Sequence, residues 1–300
     1  MRWLPNLIRA LERQTLPRKR FEVLIGDDGS HDDPGQLATR DSWVRVLTGP
    51  ALNSYAARNR ASRAATASIL AFCDADCEPE PSWLERGLAA LADADLVAGR
   101  IRFKLPRRAT SWTYVDMETS KNHRLLTRLG TAETANLFVR RDVFEALDGF
   151  DDSIDEHGDF DFVERAVAAG YRLSYSPEAV VWHPTRDRAR SVLRAHWIYS
   201  RGYAARAVSR GEKPDGLKLR NWMPILPVMR SRRRFGVSLT GPDATWLAEN
   251  GVRLSSMQKL KTLPIIYVLL PYTRALAQAR GAMDGRRRRS NGRPRGRYGS

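Results

Sequence analysis

Short apolar segments alternate with longer helical segments in the first third of the chain, and this alternation restricts the fold more than any other feature. The strand-like segments are residues 21–26, 44–49, 68–74 and 96–103. Between them, Asn53 caps an alanine-rich segment, and residues 81–93 form an amphipathic segment. Strands that alternate with helices of about 10–15 residues predict a doubly wound α/β sheet whose strands are mostly parallel.

Aspartates directly follow two of these strand-like segments. Asp28 follows the first in the segment DDGS, and Asp74 and Asp76 follow the third in the segment CDADC. Ligands of doubly wound sheets bind at the carboxyl ends of strands, where these side chains fall. Each also has a local explanation, because Asp-Gly-Ser forms turns and Asp76 is a good helix cap. Only the order of these aspartates along the chain indicates that this edge of the sheet binds a ligand.

The regular alternation ends near residue 104. Two helical segments separated by an acidic loop follow, with Asp159 and Asp161 at the start of the second. A later strand-like segment ends at His183, and a basic helix beyond it carries Trp197. Carboxylates combined with an imidazole predict a site for a divalent cation that keeps coordination positions open for phosphate oxygens.

Composition sets the class of protein and its compartment. Hydrophobic residues make up 42% of the chain and charged residues 28%, as in soluble globular proteins. The formal net charge is +16, and the arginine-rich residues 285–300 are predicted to be disordered. Cys73 and Cys77 are the only cysteines, which excludes a disulfide framework and indicates a cytoplasmic protein. We interpret both as small packing residues, because no second pair completes a zinc site.

The longest apolar run, residues 263–272, is interrupted by prolines and is shorter than the roughly 20 residues of a spanning helix. Basic residues flank it. Two interpretations stay open: a helix that lies on an anionic membrane at the inner face of the plasma membrane, or a buried C-terminal helix.

Six segments occur in an order typical of one enzyme family. They are QTLPRKRFEVLIGDDGSHDD, YAARNRAS, ILAFCDADCEPEPSWL, ANLFVRRDVFEALDGFDDSI, GDFDFVERAVAAGYRL and AVVWHP. In this order they resemble the GT-A-fold, family 2 inverting glycosyltransferases over roughly residues 1–200. The resemblance implies a Rossmann-like sheet flanked by helices. It also implies transfer of one sugar from a nucleotide-diphosphate sugar to a carbohydrate or lipid-linked acceptor, in cell-envelope, polysaccharide or glycolipid biosynthesis.

The resemblance also implies a domain organisation. Residues 1–213 would form the GT-A domain, with a nucleotide-binding half at 1–103 and an acceptor half at 104–213. Residues 214–284 are then predicted to form a small helical appendage, followed by the arginine-rich tail.

On the donor side, the resemblance assigns five residues. Asp28 would contact the base or ribose, and Arg58 and Asn59 would line the nucleotide pocket. Asp74 and Asp76 form the DxD pair, in which Asp76 is the more direct metal ligand and Asp74 faces the ribose or the metal.

The remaining roles concern the metal and the acceptor. His183 occupies the position of a third metal ligand, and Mn²⁺ or Mg²⁺ is the expected cofactor. Asp159 matches the catalytic base that takes the proton of the acceptor hydroxyl. The expected acceptor-side residues are Asn136, Arg141, Asp161 and Trp197.

The chain departs from the family pattern at its beginning. Members normally begin with a strand that resembles V-S-V-V-I-P-x-Y-N, and this chain begins after it. Loss of that strand would expose sheet edges and part of the nucleotide pocket. We therefore expect the true start to lie upstream, and the 300-residue form to be poorly soluble or inactive. Equal activity and melting temperature in a form extended by that strand would contradict this.

Two further departures concern the reaction. Gly158 stands where the family often has a glutamate, so the base keeps its position and loses a neighbouring carboxylate. The spanning helices and the Q-x-x-R-W motif of processive polysaccharide synthases are missing, so addition of a single sugar is expected.

Two hypotheses compete with the transferase. A glycoside hydrolase with two carboxylates would act without nucleotide and in the presence of a chelator. A degenerate, non-catalytic basic binding protein would bind nucleic acid through its arginine-rich tail and lose that binding as salt rises. The tail lacks interleaved aromatic residues, so no specific nucleic-acid partner is predicted.

Overall fold

A computed structural model of the chain describes residues 3–30, 43–119, 122–214, 252 and 255–290. The chain divides into two compact units, which we describe separately. The first comprises Met1–Lys104 and Lys121–Pro184, and the second comprises Leu105–Ser120 and Thr185–Ser300. Most of the predicted helical appendage, and the last ten residues of the predicted tail, lie outside the described residues.

The described part of the first unit contains two sheets. Its strands are β1 (Val23–Gly26), β2 (Val44–Leu47), β3 (Ile69–Cys73), β4 (Glu78–Pro79), β5 (Leu96–Lys104), β6 (Asn136–Arg140) and β7 (Leu173–Pro184). Strands β1 and β2 form a parallel pair, and the other five form one sheet in the order β3-β6-β5-β7-β4. The α/β class predicted from the sequence is confirmed.

The strand directions in the larger sheet are mixed and differ from the expected, mostly parallel arrangement. Strands β5 and β7 are parallel, with a register shift between Gly99 and Arg100. The pairs β3–β6, β5–β6 and β4–β7 are antiparallel. An apolar pattern shows which residues are buried, and it does not show in which direction a strand runs. Strand β6 therefore could not be recognised from sequence as the reversed strand between β3 and β5.

The described residues also form helices. They are α1 (Leu4–Glu12), α2 (Ser54–Ala64), α3 (Trp83–Ala90), α4 (Ser111–Thr119), α5 (His123–Arg128), α6 (Arg141–Ala146), α7 (Gly158–Ala168), α8 (Ala189–Ser209), α9 (Ser256–Pro264) and α10 (Leu270–Ser290). Helices α4, α8, α9 and α10 belong to the second unit, and the others belong to the first.

Two apolar clusters form the core of the first unit, one on each face of the larger sheet. Val97 and Phe138 belong to the cluster that includes residues of α1 and α3. Their neighbours Leu96 and Leu137 belong to the cluster that includes residues of α2 and α7. Successive residues of a strand point to opposite faces, so helices cover both faces of the sheet.

Helix α2 is positioned by its cap and by a glycine. The Asn53 side chain accepts hydrogen bonds from the backbone N–H groups of Tyr55 and Ala56, as predicted from its sequence position. At the end of β1, a Cβ on Gly26 would lie 2.3 Å from the carbonyl oxygen of Ala57. Only glycine allows the helix to approach the end of β1 this closely, and the approach places Arg58 near the strand ends.

The second unit is helical in its described residues. Val115 of α4 and Val192 of α8 pack against Ile266 and Leu270. Helices α9 and α10 are joined by a π-helical turn at Ile265–Leu269 into one continuous helix. No helix among the described residues is long and apolar enough to cross a membrane.

The apolar run at 263–272 was interpreted either as a membrane-surface helix or as a buried helix. The continuous C-terminal helix has features of both. Ile266 and Leu270 are buried, as a packed helix requires, whereas Val268 and Leu269 are 43% and 41% exposed. The helix therefore buries one face and exposes another.

Helix α10 extends to Ser290, six residues into the segment predicted to be disordered. Two contacts with α8 accompany this extension. Arg201 pairs with Asp284 at 2.7 Å, and Gly285 lies so close to α8 that a Cβ would be 2.7 Å from the Ala205 carbonyl oxygen. Packing on α8 stabilises helix where composition alone indicated disorder.

Candidate active site

A carboxylate, a thiol and an imidazole meet beside β4 and β7. The pairing of Glu78 with Trp182 brings the turn that carries Asp76 and Cys77 next to His183. One ligand atom from each of these three side chains lies within 4.8 Å of the others. The sequence had predicted Asp76 and His183 as metal ligands, and the fold brings the two together.

The donor set fits a divalent cation. The Asp76 Oδ1 and His183 Nε2 atoms are 3.6 Å apart. Two ligands bonded at 2.0–2.1 Å to a tetrahedral ion would lie about 3.3 Å apart, so little movement is needed. The His183 side chain is 5% exposed and that of Asp76 is 36% exposed. An ion would therefore enter from the Asp76 side.

Asp74 is held by an arginine and lies outside this metal-binding group. The Nη2 atom of Arg58 donates to Asp74 Oδ1 at 2.8 Å, and both side chains are about three-quarters buried. The Arg58 guanidinium also lies 5.6 Å from the centre of the Tyr55 ring. The structure thus joins the two predicted donor-side residues Arg58 and Asp74 to each other.

The turn after β1 is a second predicted donor element. Asp28 Oδ1 accepts the backbone N–H of Leu52 at 2.8 Å, which joins this turn to the segment before α2. The Asp27 carboxylate accepts the backbone N–H groups of Gly29 and Ser30. The Ser30 hydroxyl, together with these N–H groups, holds the pKa of Asp27 below its usual range despite burial. Asp27 therefore fixes the shape of the turn that presents Asp28.

Asp159 lies in the first turn of α7 with both carboxylate oxygens oriented by neighbours. Its Oδ1 accepts the Tyr55 hydroxyl, and its Oδ2 accepts the backbone N–H of Thr134, each at 3.2 Å. Burial and the nearby Asp159 carboxylate raise the pKa of the Tyr55 hydroxyl. This hydroxyl therefore stays protonated and donates to Asp159. The contact joins residues 104 positions apart, and no local pattern in the sequence indicates it.

Packing against the Tyr55 ring explains why Gly158 precedes the predicted base. A Cβ at this position would lie 2.8 Å from carbon atoms of the Tyr55 ring. A glutamate here would displace Tyr55, whose hydroxyl orients Asp159. The departure from the family pattern therefore accompanies a different way of holding the same carboxylate.

Comparison with known proteins shows which family the chain resembles. The model described as glycosyl transferase family 2 matches residues 2–148. Glycosyltransferase AglE of Haloferax volcanii is 34% identical over 191 residues, which cover 61% of this chain and 63% of AglE. Residues 2–148 therefore resemble glycosyltransferase family 2. O-antigen chain rhamnosyltransferase RfbN of Salmonella typhimurium is 26% identical over 194 residues, which cover 60% of this chain and 61% of RfbN. The chain thus spans less than two thirds of the length of either relative.

A solved structure supports the predicted GT-A fold of this chain. The mannosyltransferase PcManGT from Pyrobaculum calidifontis, in complex with GDP-Man and Mn²⁺, superposes with a TM-score of 0.57 at 16% identity. The match covers 95% of this chain and 83% of that protein.

Two asparagines predicted to contact ligands are buried in the scaffold of the first unit. Asn59 is 3% exposed, and its amide exchanges hydrogen bonds of 2.8 and 3.0 Å with the backbone of Phe150. Asn136 is fully buried, donates to the carbonyls of Arg100 and Ala179, and accepts the Trp83 indole N–H. Their hydrogen bonds hold α2 and the larger sheet in place.

Asp161 and Arg141 are likewise used inside the scaffold. Asp161 is 5% exposed and accepts the Arg165 Nε–H at 2.9 Å. Arg141 binds the carbonyl of Ala65 and pairs with Glu145. Because β3 and β6 are antiparallel, Arg141 lies near the beginning of β3, whereas Asp74 follows its end about 15 Å away. The predicted acceptor-side role of both residues is not supported by these positions.

Trp197, the last predicted acceptor-side residue, lies on α8 in the second unit and is 37% exposed. The residues that sequence patterns missed are Tyr55, Thr134 and Cys77. Tyr55 lies one helical turn before Arg58 and Cys77 directly follows Asp76, and these spacings were the only available signals. The contacts of Tyr55 and Thr134 with Asp159, and of Cys77 with His183, join distant parts of the chain.

Proposed function

We propose that the chain is an inverting, metal-assisted glycosyltransferase that moves one sugar from a nucleotide-diphosphate sugar to an acceptor hydroxyl. One observation carries this proposal: helix α2 holds both the DxD segment and the base. Arg58 binds Asp74, and Tyr55, one turn earlier on the helix, binds Asp159. The side chains of Arg58 and Tyr55 thereby link the proposed donor-binding segment to the proposed base.

The residues have distinct tasks in the reaction. Asp76 and His183 would hold Mn²⁺ or Mg²⁺, which offsets the charge of the leaving diphosphate when bound. Asp159 Oδ2 accepts one hydrogen bond from Thr134 and has a lone pair for the proton of the acceptor hydroxyl. The acceptor oxygen forms its bond to the anomeric carbon as the bond from that carbon to the diphosphate oxygen breaks. The proton moves to Asp159, and a single displacement inverts the anomeric centre.

On the donor side, Arg58 would place a cationic group beside the DxD segment, and Asp28 would meet the base or ribose at the turn after β1. The complex of PcManGT with GDP-Man and Mn²⁺ supports a nucleotide-sugar donor and a divalent ion.

Calorimetric titration of UDP and GDP into the purified chain tests the proposal. With Mn²⁺ present, we expect one of the two nucleotides to bind at one site per chain, and we expect EDTA to remove that binding. A folded sample that binds neither nucleotide, and that instead binds DNA with strong dependence on salt, would contradict the proposal.

The acceptor side of the proposal rests on the relatives. RfbN is named for O-antigen chain synthesis, which supports a carbohydrate or lipid-linked acceptor in the cell envelope. Addition of one sugar per acceptor is the expected outcome. A ladder of products longer by two or more sugars in mass spectrometry would contradict it.

The C-terminal helix supports a location at a membrane surface. Met257, Leu260, Val268, Leu276 and Met283 are 43–61% exposed and recur at intervals of three, seven or eight residues, as on one helix face. Exposed basic residues lie on the same helix; they are Lys261, Arg280, Arg286 and Arg287. Apolar side chains with neighbouring cations suit the surface of an anionic bilayer.

A flotation assay checks this location. The chain is expected to float with vesicles that contain phosphatidylglycerol. With vesicles of pure phosphatidylcholine, it should remain in the bottom fraction of the gradient. The double variant Leu260→Glu, Leu276→Glu should bind at least about 10-fold more weakly, because two apolar contacts are lost and two negative charges added. Leu52→Glu, at a 63% exposed position in the first unit, is the matched control. Equal flotation of the double variant and this control would contradict membrane contact.

A further inference from the structure

The thiol of Cys77 belongs to the same group as the predicted metal ligands. Its Sγ, a carboxylate oxygen of Asp76 and an imidazole nitrogen of His183 all lie within 4.8 Å of one another. Cys77 is fully buried, and the backbone N–H of Cys77 donates to the Asp74 carbonyl at 3.0 Å. The sulfur is therefore enclosed by protein, whereas the Asp76 carboxylate is partly exposed.

A sulfur donor changes which ions the site prefers. Mn²⁺ and Mg²⁺ favour oxygen ligands, whereas Zn²⁺ and Cd²⁺ bind thiolate strongly and also accept imidazole and carboxylate. Sulfur, nitrogen and oxygen from three side chains match a zinc site that keeps a fourth position open. Cysteine is not required for a site that serves only Mn²⁺ or Mg²⁺.

We propose that Cys77 is a metal ligand, and that with Asp76 and His183 it binds thiophilic divalent ions in place of the ion that assists glycosyl transfer. When such an ion binds, the thiol proton leaves to solvent, the sulfur–metal bond forms, and a water molecule leaves the ion. Binding of the thiophilic ion rests on the geometry alone. Its consequence, a transferase that zinc inhibits by displacing Mn²⁺, also rests on the proposed function.

The competing explanation is that Cys77 only packs. It is part of the apolar cluster that contains Trp83 and Leu84, and a small buried residue is suited to that place. A packing role predicts no optical signal from bound metal. A ligand role predicts direct sulfur–metal absorption, so spectroscopy separates the two.

The experiment is an ultraviolet titration of the purified, reduced chain with Cd²⁺. The wild-type chain is expected to develop a sulfur-to-cadmium charge-transfer band that saturates at one equivalent, and Zn²⁺ should reverse it. Cys73→Ser is the matched control, because Cys73 is the only other cysteine. This control should keep the band, and Cys77→Ser should lose it. Loss of the band in Cys73→Ser, or its persistence in Cys77→Ser, would overturn the proposal.

A second variant keeps the test decisive if Cys77→Ser fails to fold. Asp76→Asn retains both cysteines, and its cadmium affinity should fall about 10–100-fold while the band still forms at saturation. An unchanged affinity in Asp76→Asn would contradict a shared site.

Nucleotide titration then separates this proposal from the proposed function. Absence of Mn²⁺-dependent nucleotide binding beside a normal cadmium band would leave the metal ligand in place and refute the donor site. Nucleotide binding without a cadmium band would refute only the role of Cys77. If both hold, Zn²⁺ should suppress Mn²⁺-supported nucleotide binding in wild type and not in Cys77→Ser.

Discussion

Replacement of Asp159 by asparagine is expected to lower kcat for release of nucleoside diphosphate from the donor by about 10²–10⁴-fold, the usual contribution of a general base. An amide of the same shape still accepts a hydrogen bond from the Tyr55 hydroxyl, so the side chain keeps its place near α2. It cannot take the proton of the attacking hydroxyl. Donor affinity, measured by calorimetry, should stay within about twofold of wild type, because the proposed role of Asp159 is to act on the acceptor.

Two companion variants show whether this loss is specific to the base. Asp161→Asn, two residues along the same helix, breaks the buried pair with Arg165 and should lower the melting temperature while leaving the kcat of the folded fraction near wild type. Tyr55→Phe removes the hydroxyl that orients Asp159 and should lower kcat about 10-fold. Full activity in Asp159→Asn, or equal losses of kcat in Asp159→Asn and Asp161→Asn, would show that another residue is the base.

Replacement of Asp76 by alanine is expected to abolish the metal dependence of nucleotide binding. Asp76 is the carboxylate that lies 3.6 Å from His183 and forms the open side of the metal-binding group. Without it the ion loses its only anionic oxygen from this group, and we expect the Mn²⁺-supported Kd for UDP or GDP to rise at least about 100-fold. Calorimetry with Mn²⁺ and with EDTA should then give the same weak binding.

Asp74→Ala is the matched control, because it removes a carboxylate of the same DxD segment that the structure pairs with Arg58. This variant should bind nucleotide more weakly than wild type and should still respond to Mn²⁺. A response to Mn²⁺ that survives in Asp76→Ala and disappears in Asp74→Ala would reverse the assignment of the two aspartates.

Several features of the site were predictable because they depend on local sequence. Asp28, Asp74 and Asp76 follow apolar segments directly, so the end of a strand determines where they lie. The Asn53 cap was predictable for the same reason, since a cap bonds to N–H groups two and three residues ahead. His183 was placed beside Asp76 through the order of motifs, and strand pairing of β4 with β7 provides the physical contact.

The roles of polar residues in the interior were not predictable in this way. Asn59, Asn136 and Asp161 resemble ligand-binding residues in sequence, because an amide or a carboxylate serves a ligand and a buried backbone equally well. Burial decides between these uses: an amide or carboxylate enclosed by backbone groups must bond to them, since an unsatisfied buried polar group costs about 1–3 kcal/mol. Which side chains are enclosed depends on neighbours from distant parts of the chain.

The sequence by itself determined the α/β class, the resemblance to family 2 and the aspartates that follow β1 and β3, because local apolar periodicity and short motifs carry this information. Only the tertiary structure decided that β6 runs antiparallel between β3 and β5, that Tyr55 orients Asp159, and that Cys77 joins Asp76 and His183. Each of these depends on contacts between segments far apart in the chain. Such contacts form through packing and strand pairing, and no nearby residue encodes them.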